Sequence, residues 1–230
     1  MRPRHLSAVL AAAAVLFAVP VVAWSARNPA APSATPTQRV VADDTASLSR
    51  LLTLVRGANP LFCELVSRMV DGRSYWNSGG RSGLVEMDAA ASTLIRWVHS
   101  GHEDPRFVPR LAASMRDADP CVRRIAGGML GRVRHASAMD ALVTALDDAN
   151  AGTREVAAVG LGLQEDSSSV PALIARLRDS AVDVRRTAAW ALGVIEHKSA
   201  MMPLVELLGR DPDPRVREAA AWAIGEVTGQ

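Results

Sequence analysis

The side chains that could do chemistry in this 230-residue chain are few: five histidines, two cysteines and a regular series of aspartates and arginines. His135, Asp166 and His197 are spaced 31 residues apart. Three such groups could bind a metal only if the fold brought them together. If they instead sit on successive packed helical units about 10 Å apart, the two histidines are too distant to share an ion. They read as solvated turn residues. Cys63 and Cys121 stand in no CxxC pair and near no clustered histidine, so two cysteines alone make a poor metal site. Either they form one disulfide, as an exported protein permits, or they are two buried thiols acting as small hydrophobes. The Gly- and Ser-rich stretch DGRSYWNSGGRSG (71–83) has no phosphate-loop lysine and does not read as a nucleotide site. Its Tyr75 and Trp76 are expected to pack rather than to bind. No Ser-His-Asp or Cys-His set follows from spacing. The expectation is therefore no catalytic residue, no metal and no cofactor.

The remaining charged residues recur. Asp117, Asp148, Asp179 and Asp211 are each followed six residues later by Arg123, Arg154, Arg185 and Arg217. An acid and a guanidinium at fixed spacing suggest a ladder, each arginine pairing with the aspartate of its own or the adjacent unit. The planar fork of arginine suits two oxygen partners at once. The same aspartates also fit as turn residues and helix caps, and the two roles are compatible.

These residues are placed by a repeat. VRRIAGGMLG, TREVAAVGLG, VRRTAAWALG and VREAAAWAIG begin at residues 122, 153, 184 and 216, with steps of 31, 31 and 32. A fixed period of this length means stacked supersecondary units. Between the copies lies a second recurring stripe: Val108, Met139, Val170 and Met201; Leu111, Leu142, Leu173 and Leu204; Met115, Leu146, Leu177 and Leu208. The i, i+3, i+7 spacing is that of an amphipathic helix. Each unit is thus two antiparallel helices, and no unit can bury its stripe alone. The fold class is all-α, a solenoid of stacked helix pairs.

Helix VPALIARLRD, turn SAVD and helix VRRTAAWALGVI resemble a HEAT repeat, in particular the short bacterial kind grouped with phycobilisome lyases. The Asp and the Arg six residues later match that family's turn. The resemblance covers about Phe107 to Gly229 and implies a concave surface lined by the second helix of each unit. Family members include deoxyhypusine hydroxylases, which bind iron through His-Glu pairs. Here the only such pair is His102-Glu103, and one pair cannot make that site.

On a helical wheel of the third copy, Val184, Ala188, Ala191, Leu192 and Ile195 face the core. Arg186, Ala189, Trp190 and Gly193 fall opposite, on the side the resemblance makes concave. Trp190 and Trp222 replace Gly128 and Val159 of earlier copies, so stacking does not require tryptophan. Flanked by Arg186 and Glu218, the two rings form a candidate partner-binding pair. Alternatively they lie flat over their own Ala-rich helices.

Upstream, Arg2, Arg4 and His5 precede an apolar run from Leu6 to Ala23 that ends in small residues. Residues 1–26 read as a signal peptide or, alternatively, an N-terminal membrane anchor. Residues 27–45 form a Pro/Ala/Thr-rich linker, 46–106 an irregular helical cap and 107–230 the repeats. Both readings of the first segment place the protein outside the cytoplasm, in the periplasm or cell envelope. A net charge of +2, with basic and acidic residues interspersed, gives no case for nucleic acid. The expected function is a non-catalytic exported scaffold with a protein or peptide partner. The alternatives are an enzyme of the lyase or hydroxylase type, or a self-associating structural protein.

Overall fold

A computed structural model describes residues 44–58, Cys63 and 105–229. The N-terminal apolar run, most of the linker and cap, the 71–83 stretch and His102-Glu103 lie outside the described residues. Nine α-helices are present among those described: α1 (Asp44–Val55), α2 (Val108–Ser114), α3 (Pro120–Arg132), α4 (Ala136–Ala145), α5 (Ala151–Gln164), α6 (Val170–Arg176), α7 (Val182–Ile195), α8 (Met201–Arg210) and α9 (Pro214–Thr228). Helix α1 starts two residues before the boundary predicted at 46. Pairs α2/α3, α4/α5, α6/α7 and α8/α9 are the four repeat units, and each helix pair packs internally and against its neighbour. None of the described helices is long and apolar enough to cross a membrane.

The helix starts follow from capping chemistry. Asp119, Asn150 and Asp213 accept backbone N–H bonds at the first turns of α3, α5 and α9. Pro120 and Pro214 occupy first helical positions, where the missing N–H costs nothing. His135, Asp166 and His197 do the same work at the opposite edge. They accept from the N–H groups of Ser137, Ser168 and Ser199 at the start of each first helix or the 3-10 turn leading into it. Their 31-residue spacing is thus a capping repeat.

The second helices α3, α5, α7 and α9 pack closely side by side. A Cβ on Gly131 would lie 2.7 Å from the Gly160 Cα, so α3 and α5 touch backbone to backbone. The first helices spread farther, and an open groove lined by Ile174, Leu177, Val205 and Leu207 separates α6 from α8. Close second helices and splayed first helices put the second-helix row on the inside of the stack.

Two core expectations change. Ala189 and Gly193, read from the wheel as facing outward, are buried. A second helix has three neighbours, namely its own first helix and the second helices before and after it. A residue turned away from the first helix can therefore still be covered. Leu208, expected in the core stripe, is 37% exposed, and Leu207 is buried instead. The 32-residue step includes Gly209, and α8 continues as regular helix to Arg210. The helices α2, α4 and α6 turn off earlier.

Candidate functional site

Two surfaces carry the charged and aromatic residues. The first is the edge where the Asp-Arg turns stack. Arg154 donates from Nε and Nη2 to the two carboxylate oxygens of Asp179 in the next unit, at 2.8 and 2.7 Å. Its Nη1 donates to the Asp148 and Ala149 carbonyls of its own unit. Arg185 repeats the pattern on Asp211, at 2.6 and 3.1 Å, and on the Asp179 and Ser180 carbonyls. Arg123 and Arg217 make the carbonyl bonds of their own turns, to Asp117 and Ala118 and to Asp211 and Pro212. Among the described residues, Arg123 holds no carboxylate of the next unit. Asp148 is taken by Arg116, at 2.7 Å, and Asp117 by Arg56 in the turn after α1.

Each ladder aspartate also accepts a backbone N–H two residues on: Asp119, Asn150, Ala181 and Asp213 respectively. Ion pairing and turn capping are combined on one carboxylate. Hydrogen bonds from their arginines are the chief cause holding the Asp117 and Asp211 carboxyls below their ordinary range. For Asp148 the chief cause is the Asn150 N–H, opposed by burial. At Asp179 burial pushes upward most strongly, but the Arg154 bond, the Ala181 N–H and the charges of Arg154 and Arg176 together outweigh it.

The second surface is the second-helix row. The third residue of each copy alternates in sign: Arg124, Glu155, Arg186, Glu218. Arg186 lies 3.4 Å from Asp183 and 4.0 Å from Glu155. Burial, then the nearby Asp183, pushes the Glu155 carboxyl upward against the pull of Arg124 and Arg186. The tryptophans are shingled. A Cβ on Gly162 would lie 2.7 Å from Cζ3 of Trp190, and one on Gly193 2.7 Å from Cζ3 of Trp222. Each ring therefore rests against the glycine of the preceding second helix. Trp190 is half-buried, Trp222 is 41% exposed and Glu218 is exposed. The structure sets Arg186, Trp190, Glu218 and Trp222 along this row, one pair per helix.

Cys63 is joined to Cys121 at the start of α3, with their Cα atoms 5.6 Å apart. Among the described residues, no three His, Cys, Asp or Glu side chains gather as metal ligands. Sequence reasoning missed Arg56 and Arg116 as ladder partners: Arg56 lies outside the repeat, and the arginines at the place of Arg116 in later units, Arg178 and Arg210, meet Glu206 and not a ladder aspartate. It also missed Arg134, which donates to the Gln164 carbonyl and closes the end of α5.

Stacked antiparallel helix pairs with an Asp-Arg turn at every step define an α-helical repeat protein. The sequence matches the HEAT repeats over residues 107–193 and 170–230, more than half of the chain, and the protein belongs to the HEAT-repeat family. Similar solved structures include human deoxyhypusine hydroxylase in complex with glycerol, at 20% identity and TM-score 0.47. That likeness covers 75% of this chain and 64% of the hydroxylase, so the chain spans less than two thirds of its length. The complex of CpcE and CpcF of phycocyanin lyase from a Nostoc species is similar at 24% identity and TM-score 0.43, covering 65% of this chain and 71% of that one. No curated protein matches the sequence. The two likenesses concern the helical-repeat architecture, and no residue role is taken from either.

Proposed function

We propose that the protein is a non-catalytic, exported HEAT-repeat scaffold that holds a protein or peptide partner along its second-helix row. The observation that carries this reading is Trp222. It is a large aromatic ring, 41% exposed, on an alanine-rich helix that also carries the exposed Glu218. Exposed tryptophan beside charged residues is the composition of an interface anchor. Arg186 and Glu218 supply opposite charges on neighbouring helices, which suits a partner strand or helix with alternating charge. Export is supported by the basic–apolar–small pattern of residues 1–26 and by the joined cysteines, since disulfides persist outside the cytoplasm.

The test is partner capture from the cell envelope with the wild type and with Trp222→Ala, alongside circular dichroism of both. The expected result is loss of the captured partner with helicity retained. Undiminished capture by Trp222→Ala would remove the ring from the interface. Trp190→Ala is the weaker probe, because its half-buried ring also packs on Gly162.

A further inference from the structure

The gap between the first helices α6 and α8 is built differently from the gap before it. Between α4 and α6, Arg176 acts as a strap. It donates from Nη1 to the Leu146 carbonyl at 2.9 Å, and its Nη2 lies 3.1 Å from Asp147. One repeat later the sequence has Leu207 at the place of Arg176 and Arg178 at the place of Asp147. An apolar side chain thus stands where the strap would begin. Helix α6 touches the 3-10 turn Lys198–Ala200 ahead of α8. Beyond that turn the two helices bound an open groove of about 770 Å³, room for one face of a helix rather than for a single side chain. Ile174, Val205 and Leu207 line it, and Met202 stands in its wall 72% exposed. A unit stacked on α9 would pack on the other side of α8, so the groove belongs to the α6/α8 gap itself.

The charges at the rim narrow the occupant. Glu206 meets Arg178 at 3.5 Å and Arg210 at 3.2 Å, so two guanidiniums share one carboxylate. Both arginines are exposed, at 83% and 81%. Asp211, also at the groove, is held by Arg185. Apolar walls under a rim with an excess arginine fit an occupant that is apolar on one face and acidic beside it. The walls also select its backbone. Both are helices whose backbone groups bond within the helix, so a partner strand would find no edge to pair with. A helix brings its own backbone bonds and inserts side chains alone. The ten residues of α8 make a wall about 15 Å long, matched by about three turns of a partner helix. We propose that an amphipathic helix of a partner protein docks in the α6/α8 groove. Its apolar residues pack on Ile174, Met202 and Val205, and its carboxylates accept from Arg178 and Arg210. A two-fold pairing of this chain would instead set four arginines against two glutamates. The groove lies on the first-helix side of the stack, so the proposal does not rest on the role of Trp222.

The probe is a displayed library of helix-forming peptides of about four turns, selected on the full chain. Enriched sequences should carry an apolar i, i+3, i+4, i+7 stripe with Asp or Glu beside it. Met202→Glu should weaken their binding at least about tenfold. Arg178→Gln with Arg210→Gln should weaken it about three- to tenfold, a loss that shrinks as salt rises. All three positions are exposed, so circular dichroism should show unchanged helicity. A photo-crosslinker at Val205 should capture the same peptides, which sets them in this groove and not on the second-helix row. No enriched sequence, enrichment without acids, binding insensitive to Met202→Glu, or no crosslink at Val205 would each overturn the proposal. In the cell, the same crosslinker should link to a helix of another protein beside an Asp or Glu, and lose that product with the double arginine variant. A link to a second copy, to residues 1–43 or 59–104 of this chain, or to lipid would overturn it, as would a product insensitive to the arginines or no product.

Discussion

The same Asp-Arg signature makes two different kinds of rung. In Arg154–Asp179 and Arg185–Asp211 both side chains are largely covered, the arginines 12% and the aspartates only 4% and 3% exposed. In Arg56–Asp117 and Arg116–Asp148 the arginines are 55% and 48% exposed. The inner rungs use the repeat's own arginine, with its fork fixed by two carbonyls before it meets the acid. The first two rungs recruit an arginine from outside the pattern. Preorganisation separates them: a fork already held by its own turn loses less freedom on pairing, and burial strengthens the pair while making it costly to break. The ladder therefore fastens the later units to one another more firmly than it fastens the first.

Acid should act on all rungs together and give the largest effect. The Asp117, Asp148, Asp179 and Asp211 carboxyls all lie below their ordinary value in the folded chain. A depressed carboxylate contributes stability that is present above its unfolded pKa, about 3.9 for Asp. That contribution is lost as pH falls through the lower folded values. Urea unfolding should show a level plateau above about pH 5 and a steep loss below about pH 4. Asp211→Asn should flatten that acid limb. A limb unchanged in the variant would mean that the inner rungs carry no net stability.

Breaking one inner rung comes next. Arg185→Ala removes two carboxylate and two carbonyl bonds and leaves a buried Asp211. The expected cost is about 2–3 kcal/mol in urea unfolding. A change within about 0.5 kcal/mol would place the inner rungs with ordinary surface pairs.

Much of this fold is legible in the chain because the repeat states it four times. The 31-residue step, the apolar stripe and the Asp-to-Arg spacing each follow from stacking one unit on the next. What the period cannot show is where a unit departs from it. Arg116 has counterparts in Arg178 and Arg210, but Asp147 stands at its place in the unit between, and both counterparts meet Glu206 and not a ladder aspartate. Gly209 shifts α8 without altering the residue types around it, so Leu208 still looks like core. Ala189 and Gly193 differ from the wheel for a geometric reason, since a wheel gives a helix two sides and a stack gives it three neighbours. A signal was nonetheless present. Trp190 and Trp222 each follow a copy ending in glycine, and the glycine is the seat. Where Val159 replaces the ring, Gly160 comes next, and α5 instead approaches Gly131 of α3 directly.

The outer rung gives the smallest effect and the sharpest contrast with Arg185. Arg116→Ala removes a single Nε bond to Asp148 from a side chain 48% exposed to water. Asp148 keeps the Asn150 N–H, the largest cause of its lowered pKa. Water can replace the guanidinium, so the expected cost is within about 0.5 kcal/mol and shrinks further in salt. The informative outcome is the ratio of the two losses, measured in one buffer. If Arg116→Ala costs as much as Arg185→Ala, burial and the preset fork do not distinguish the rungs. If it costs several-fold less, the repeat's own arginine is what makes a rung structural.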